Sequence, residues 1–255
     1  MAINHPDYKN ALITGASSGL GQGLAVWFAR RGTRVFAAAR RMEPLRALSE
    51  AAAASGGKIE AVSMDVADSR QTIEQIQQID DQCGGLDLVV ANAGIGGLTD
   101  GKRIAWQTVD KIIQVNVTGA AATLCAVLPR MVERNRGHLV GISSIAAWRG
   151  MRRHAGYSAS KAFLAIFLEG LRVDLHSTQV RVTCIHPGFV KSEMTAKNKF
   201  KMPFLLETED AVERMGKAIL RAQSEFAFPW QTSAAMRAVK LLPNRIFDSA
   251  ARKLG

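Results

Sequence analysis

Ala11-Leu12-Ile13-Thr14-Gly15-Ala16-Ser17-Ser18-Gly19-Leu20-Gly21 is the stretch on which the fold turns. Three consecutive apolar residues fit a strand buried on both faces. The glycines after them form a tight turn, and the apolar spacing over 20–31 is that of a helix. Glycine allows backbone conformations closed to other residues and lets another group come close to the main chain. A turn that opens a helix in this way presents N–H groups at the positive end of the helix dipole, which suits a pyrophosphate.

The strand-turn-helix pattern continues down the chain. Strands are expected at 11–13, 35–39, 59–64, 86–90, 138–142, 180–185 and 226–228, and helices at 20–31, 44–55, 69–82, 109–134, 156–176 and 208–224. Pro44 sits early in the second helix, and Thr208 can cap the last, with Glu209 and Asp210 in its first turn. Strands alternating with helices of this length imply right-handed crossovers. The expected fold is therefore α/β and Rossmann-like: doubly wound, seven-stranded, mostly parallel, with helices on both faces and ligands at the C-terminal strand ends. Residues 1–255 are expected to form one domain, with 9–228 as its core and 229–255 as a helical tail. Residues 234–242 and 246–254 give the tail two basic amphipathic helices broken at Pro243, able to pack on the domain or to lie peripherally on an anionic membrane. The lysine-rich segment 191–202 is where a substrate lid would sit, or is an ordinary surface loop.

Composition narrows the function classes. A hydrophobic share of 47% over 255 residues supports one large core. Cys83, Cys125 and Cys184 are too scattered for a disulfide framework or a Cys-x-x-Cys metal site, and no spaced His, Cys and carboxylate cluster suggests a metal. The short polar lead before the first strand leaves no room for a signal peptide, and no uninterrupted apolar run approaches the roughly 20 residues of a membrane span. A cytoplasmic location is expected. The net charge of +11 invites a nucleic-acid reading. However, seven basic residues against one acid between 130 and 161, and a basic tail with apolar residues between its charges, suit an anionic small molecule, a lipid surface or plain solubility at least as well. No nucleic acid is expected as a partner.

Tyr157 and Lys161 stand four apart on one predicted helix, which puts an ammonium beside a phenol, and Ser144 lies thirteen residues upstream. Together with Thr14-Gly15-x-x-x-Gly19-x-Gly21, Ala91-Asn92-Ala93-Gly94, Asn116 and Pro187-Gly188, these motifs resemble the short-chain dehydrogenase/reductase family over about 9–228. The resemblance implies that Tyr157 is the general acid, and base in reverse. It implies that Lys161 stabilises the phenolate and holds the ribose, that Ser144 positions the carbonyl, and that Asn116 holds a water in the proton relay. Ser143 competes with Ser144, whose spacing to Tyr157 matches the family. The implied cofactor site comprises Gly15, Ser17, Ser18, Gly19, Leu20, Gly21, Arg40, Arg41, Asp65, Val66, Asn92, Ala93, Gly94, Pro187, Gly188 and Val190 with Tyr157 and Lys161, Asp65 lying near the adenine. His154 and His186 are expected as pocket walls.

An acid at the end of the second strand would bind a ribose 2′-hydroxyl, whereas an arginine accommodates a 2′-phosphate. Here Ala39 is followed by Arg40 and Arg41, so NADP(H) is expected over NAD(H), with Arg40 the main phosphate partner. The expected activity is an NADP(H)-dependent interconversion of a hydrophobic ketone, steroid-like or acyl-chain, and its secondary alcohol. Arg149, Arg152, Arg153 and His154 would suit an anionic handle on the substrate. The alternative is a protein that senses NADP(H) without turnover. A homodimer through the long helices is implied by the family, with a tetramer as the other arrangement.

Overall fold

The computed structural model of the protein describes residues 8–197 and 202–253. Seven strands form one sheet: β1 (Asn10–Thr14), β2 (Arg34–Ala39), β3 (Lys58–Ser63), β4 (Leu88–Ala91), β5 (Gly137–Ile142), β6 (Val180–Pro187) and β7 (Glu225–Phe228). Their order is β3-β2-β1-β4-β5-β6-β7, and every neighbouring pair is parallel. The chain builds outward from β1 to β3, then returns to the far side of β1 for β4. That reversal opens a crevice at the C-terminal ends of β1 and β4.

Alternation along each strand explains why the central strands are apolar throughout. Ile13, Val35, Val90 and Val140 point into one core, against α1 (Gly19–Ala29), α2 (Met42–Ala54) and α8 (Thr208–Leu220). Leu12, Phe36, Val89 and Leu139 point into the other, against α3 (Ser69–Cys83), α5 (Ala120–Cys125) and α7 (Ala155–Asp174). Leu12 and Ile13 are both fully buried, one on each face, each contributing about 1.5–3 kcal/mol of burial.

The helix expected over 109–134 is not continuous. It begins earlier, as α4 (Trp106–Ile112), widens into a π-helical turn over Ile113–Gly119, resumes as α5, breaks at Ala126 and Val127, and ends as α6 (Leu128–Glu133). Pro129, in the first turn of α6, lacks the N–H a continuous helix would need. At the π-turn, a Cβ on Gly119 would come within 2.6 Å of the Val66 carbonyl oxygen, so the helix is seated directly on the segment after β3. By length and composition this stretch is apolar enough to cross a bilayer, but half of its most apolar window is buried inside the fold.

The tail helices are α9 (Trp230–Leu241), four residues earlier than expected, and α10 (Asn244–Lys253). Leu242 between them is extended, as a residue before proline must be. The expected end at Leu254 lies outside the described residues. Arg149 ties both helices to the loop after β5: its guanidinium donates to Lys240 O (3.3 Å) and Asn244 Oδ1 (2.8 Å) and lies over the Phe247 ring.

Candidate active site

Thr14 ends β1 and Asn92 follows β4, and each fastens the other. Thr14 Oγ1 accepts from the Asn92 and Ala93 N–H groups at 3.2 Å, and Asn92 Nδ2 donates to Thr14 O at 2.9 Å. Gly15 then turns at φ +68°, where a Cβ would sit 2.7 Å from Ala93 Cα. A Cβ on Gly21 would press on the Gly15 carbonyl and the Asn92 amide. Ser18 precedes α1 in an extended conformation and makes no side-chain cap. This close-packed turn at an uncapped helix N-terminus, facing the crevice, fits a dinucleotide pyrophosphate.

The two arginines after β2 diverge. Arg40 Nη1 lies 4.0 Å from Asp65 Oδ2, toward the end of β3. Arg41 turns the other way, over the glycine-rich turn, donating to Ser18 Oγ (2.9 Å), Ser17 Oγ (3.3 Å) and Glu193 Oε2 (3.1 Å). Leu20 packs against the first core, and Val66 is buried under the π-turn. After β6, the Gly188 N–H is bonded to Phe228 O (2.7 Å), Val190 is buried, and Val190 pairs with Leu206. Ser192 then lies against Gly19 and Met194 against Gly96, so this segment straps across from the glycine-rich turn to the loop after β4.

Tyr157, Ser144 and Lys161 meet at the ends of β5 and β6. Ser144 is the side-chain neighbour that favours ionisation of the Tyr157 phenol. Ser144 Oγ also accepts from Ala146 N–H (3.1 Å) and lies 3.5 Å from Pro187 O. Lys161, 5% exposed, donates from Nζ to Ile142 O (2.8 Å) and stands 5.9 Å from the Tyr157 ring centroid. Burial pushes the Tyr157 phenol above its ordinary value, and Ser144 offsets part of this. Burial also pulls Lys161 down to about 8. The spacing of the pair suggests an ammonium acting directly on the phenol. In the protein, desolvation dominates both groups, and the phenol's neighbour is Ser144. Ser143 takes no part: it is buried and donates to Lys161 O (2.8 Å), fixing the helix that carries Lys161.

Asn116 sits inside the π-turn and is 1% exposed. Its Oδ1 accepts from Ile95 N–H (2.8 Å), and its Nδ2 donates to Ile95 O (3.0 Å) and Ser160 Oγ (3.0 Å). Ser160 in turn donates to Tyr157 O (2.7 Å). A Cβ on Gly94 would fall 3.2 Å from Lys161 Nζ and 3.5 Å from Asn116 Oδ1, so a side chain here would crowd the lysine. Sequence reasoning overlooked Ser160 and Glu193, and it quoted Thr14 in the glycine-rich motif without giving it a role. Ser160 was legible in principle, one residue before Lys161 and so on the adjoining face of the same helix. Glu193 has no sequence signal, because its meeting with Arg41 spans 152 residues.

The chain matches the short chain dehydrogenase family model over residues 9–202. It is 62% identical over 247 residues to an uncharacterised oxidoreductase of Myxococcus xanthus, covering 97% of this chain and 98% of that protein. A short-chain dehydrogenase from Sphingobium yanoikuyae in complex with NADPH superposes with a TM-score of 0.79 at 24% identity, covering 92% and 96% of the two chains. A Burkholderia phymatum short-chain dehydrogenase/reductase in complex with NAD gives 0.83 at 22%, covering 90% and 92%. Those two share the fold and differ in cofactor, so the fold alone does not choose between NAD and NADP. The family model and the close relative agree with the ordered motifs and the all-parallel sheet: this chain belongs to the short-chain dehydrogenase/reductase family of oxidoreductases.

Proposed function

We propose that the protein is an NADP(H)-dependent reductase of a hydrophobic ketone, working with Asn116, Ser144, Tyr157 and Lys161. The observation that carries this is the convergence of Tyr157, Ser144 and buried Lys161 at the C-terminal ends of β5 and β6, at the same end of the sheet as the glycine-rich turn. A bound nicotinamide supplies the hydride. Ser144 Oγ donates to the substrate oxygen and stabilises its developing negative charge. Tyr157 hands its phenolic proton to the same oxygen. A phenol that burial holds protonated is suited to that acid role, which supports the reductive direction. Asn116 and Ser160 keep the Tyr157 turn of α7 in place.

The absence of an acid at the end of β2 and the position of Arg41 over Ser17 and Ser18 support NADP(H). Arg40 and Arg41 both follow β2, where a 2′-phosphate would lie, and Arg41 also reaches Ser17 and Ser18, so it joins Arg40 as a phosphate partner. The hydrophobic substrate is supported by six exposed apolar side chains on the loops after β4, β5 and β6: Leu98, Ile104, Met151, Met194, Phe204 and Leu205. An anionic handle fits less well. Arg149 is committed to the tail, and Arg153 lies 3.5 Å from Asp100. The intact catalytic set favours turnover over a sensor that only binds the nucleotide.

NADPH oxidation by the purified protein against a panel of hydrophobic, acyl-thioester and small polar carbonyls tests this reading. Hydrophobic ketones should lead in kcat/KM. A preference for small polar or thioester substrates would overturn the substrate class, and NADPH binding without turnover across the panel would favour the sensor.

A further inference from the structure

Behind Ser144 lies a polar cluster that the chemistry above leaves unused. His186 is 2% exposed and Cys184 6%, and Glu225 pairs with Cys184 in the β6–β7 register. His186 Nδ1 stands 3.2 Å from Ser144 O. A carbonyl oxygen only accepts, so Nδ1 carries the ring proton and donates. Burial lowers the His186 pKa and so favours the neutral ring, in which Nε2 is an acceptor, and Cys184 Sγ at 3.3 Å is its donor, a thiol that burial pushes up to about 12. Ser144 O receives a second bond from Ala147 N–H (3.0 Å), which fills both of its lone pairs.

The cluster extends to the tail. Glu225 Oε1 lies 3.6 Å from His186 Nε2 and 3.8 Å from Arg237 Nη2 of α9. Trp148, four residues after Ser144, packs on the His186 ring with centroids 5.3 Å apart, and the Arg237 guanidinium lies 5.2 Å over Trp148. Arg237 thus contacts both groups that flank the imidazole.

We propose that His186 is a positioning residue for Ser144, and that Arg237, by pairing with Glu225 and covering Trp148, makes the C-terminal helix α9 part of that hold. This rests on the proposed catalytic role of Ser144. The serine hydroxyl must face Tyr157 and the substrate oxygen together, and its direction follows from the backbone that His186 pins on one side and Ala147 on the other. A small misplacement of such a group is costly in rate, so His186→Ala should lower kcat by about tenfold or more. It should leave the Kd for NADPH within about twofold, because no contact of the cofactor turn is touched.

The test measures kcat, KM, the NADPH Kd and Tm for His186→Ala, His186→Asn, Arg237→Ala, the His186→Ala/Arg237→Ala pair, and Tyr157→Phe. His186→Asn should recover most of the rate, since an asparagine Nδ2 occupies the place of Nδ1. Arg237→Ala, at an exposed site, should lower kcat about threefold at unchanged Tm, and the double variant should be no slower than His186→Ala alone. Wild-type kcat in a folded His186→Ala, or an Arg237→Ala effect that adds in full to it, overturns the proposal. If His186→Ala does not fold, wild-type kcat in Arg237→Ala overturns it. Full turnover by Tyr157→Phe would instead remove the reading of the site on which the proposal rests.

Discussion

Arg41→Ala should weaken NADPH binding and spare NADH. The guanidinium lies over the cofactor turn, 2.9 Å from Ser18 Oγ and 3.3 Å from Ser17 Oγ, with its side chain 51% exposed. Opposite charges about 4 Å apart attract by about 4 kcal/mol at an effective dielectric constant near 20, an upper bound here. Half exposure and the Glu193 pairing that must be given up reduce this to the range of a charge-assisted hydrogen bond, about 2 kcal/mol. That is roughly a 30-fold rise in the Kd for NADPH, with NADH within about twofold. Glu193→Gln removes the competing carboxylate and should tighten NADPH by a few fold, consistent with about 0.2–1 kcal/mol for an exposed pair. Both effects are read by titrating nicotinamide fluorescence at fixed ionic strength, because salt screens partly exposed charges. Equal weakening of both cofactors would mean that Arg41 only orders Ser17 and Ser18. No change in either would place the 2′-phosphate elsewhere. Either result refutes the reasoning.

Three further outcomes are expected. Lys161, held near 8 by burial, loses its ammonium as pH rises through that value, so kcat/KM should fall above about pH 8. Lys161→Arg stays charged and should be slower but lack that limb, and a limb that persists contradicts the assignment. His138, buried between Tyr8 and Thr183, is held down to about 3 by desolvation first and Arg181 second. The unfolded chain takes up that proton near 6.5, so the His138 contribution is intact above this pH and falls as pH drops toward 3, by about 1.4 kcal/mol per unit. Urea unfolding at several pH values should show this slope in the wild type and not in His138→Leu. Phe163, Ile166 and Val173 leave one side of α7 apolar and open. Ile166→Glu should therefore convert a homodimer to monomer in light scattering, whereas a monomeric wild type refutes the dimer.

The fold was legible because a doubly wound sheet needs strands buried on both faces, and the short, largely apolar runs at 11–13, 35–39 and 138–142 fit that between helical segments. What escaped was decided by tertiary contact. The break in 109–134 follows from Pro129 and from the seating of Gly119 on Val66, and only the first is visible in sequence. The candidate catalytic groups were legible as an ordered set, since Tyr157 and Lys161 share a helix face and Ser144 follows a strand. Their electrostatics were not: the spacing implied a lysine acting on a phenol, while burial shifts both groups and Ser144 offsets it at the phenol. Arg40 and Arg41 were recognised together, but which one covers the turn depends on backbone direction at the start of α2. The arginines before Tyr157 were recognised as charge, and their engagement with the tail and Asp100 appears only in three dimensions.

The most direct test of the central claim is NADPH oxidation with the best hydrophobic ketone by wild type and Tyr157→Phe, alongside NADPH titration of both. The account predicts that removing the phenolic oxygen lowers kcat by about 100-fold or more, within the usual range for a positioned acid, and leaves the Kd for NADPH within about threefold. Retained turnover in a folded, NADPH-binding Tyr157→Phe protein would contradict it.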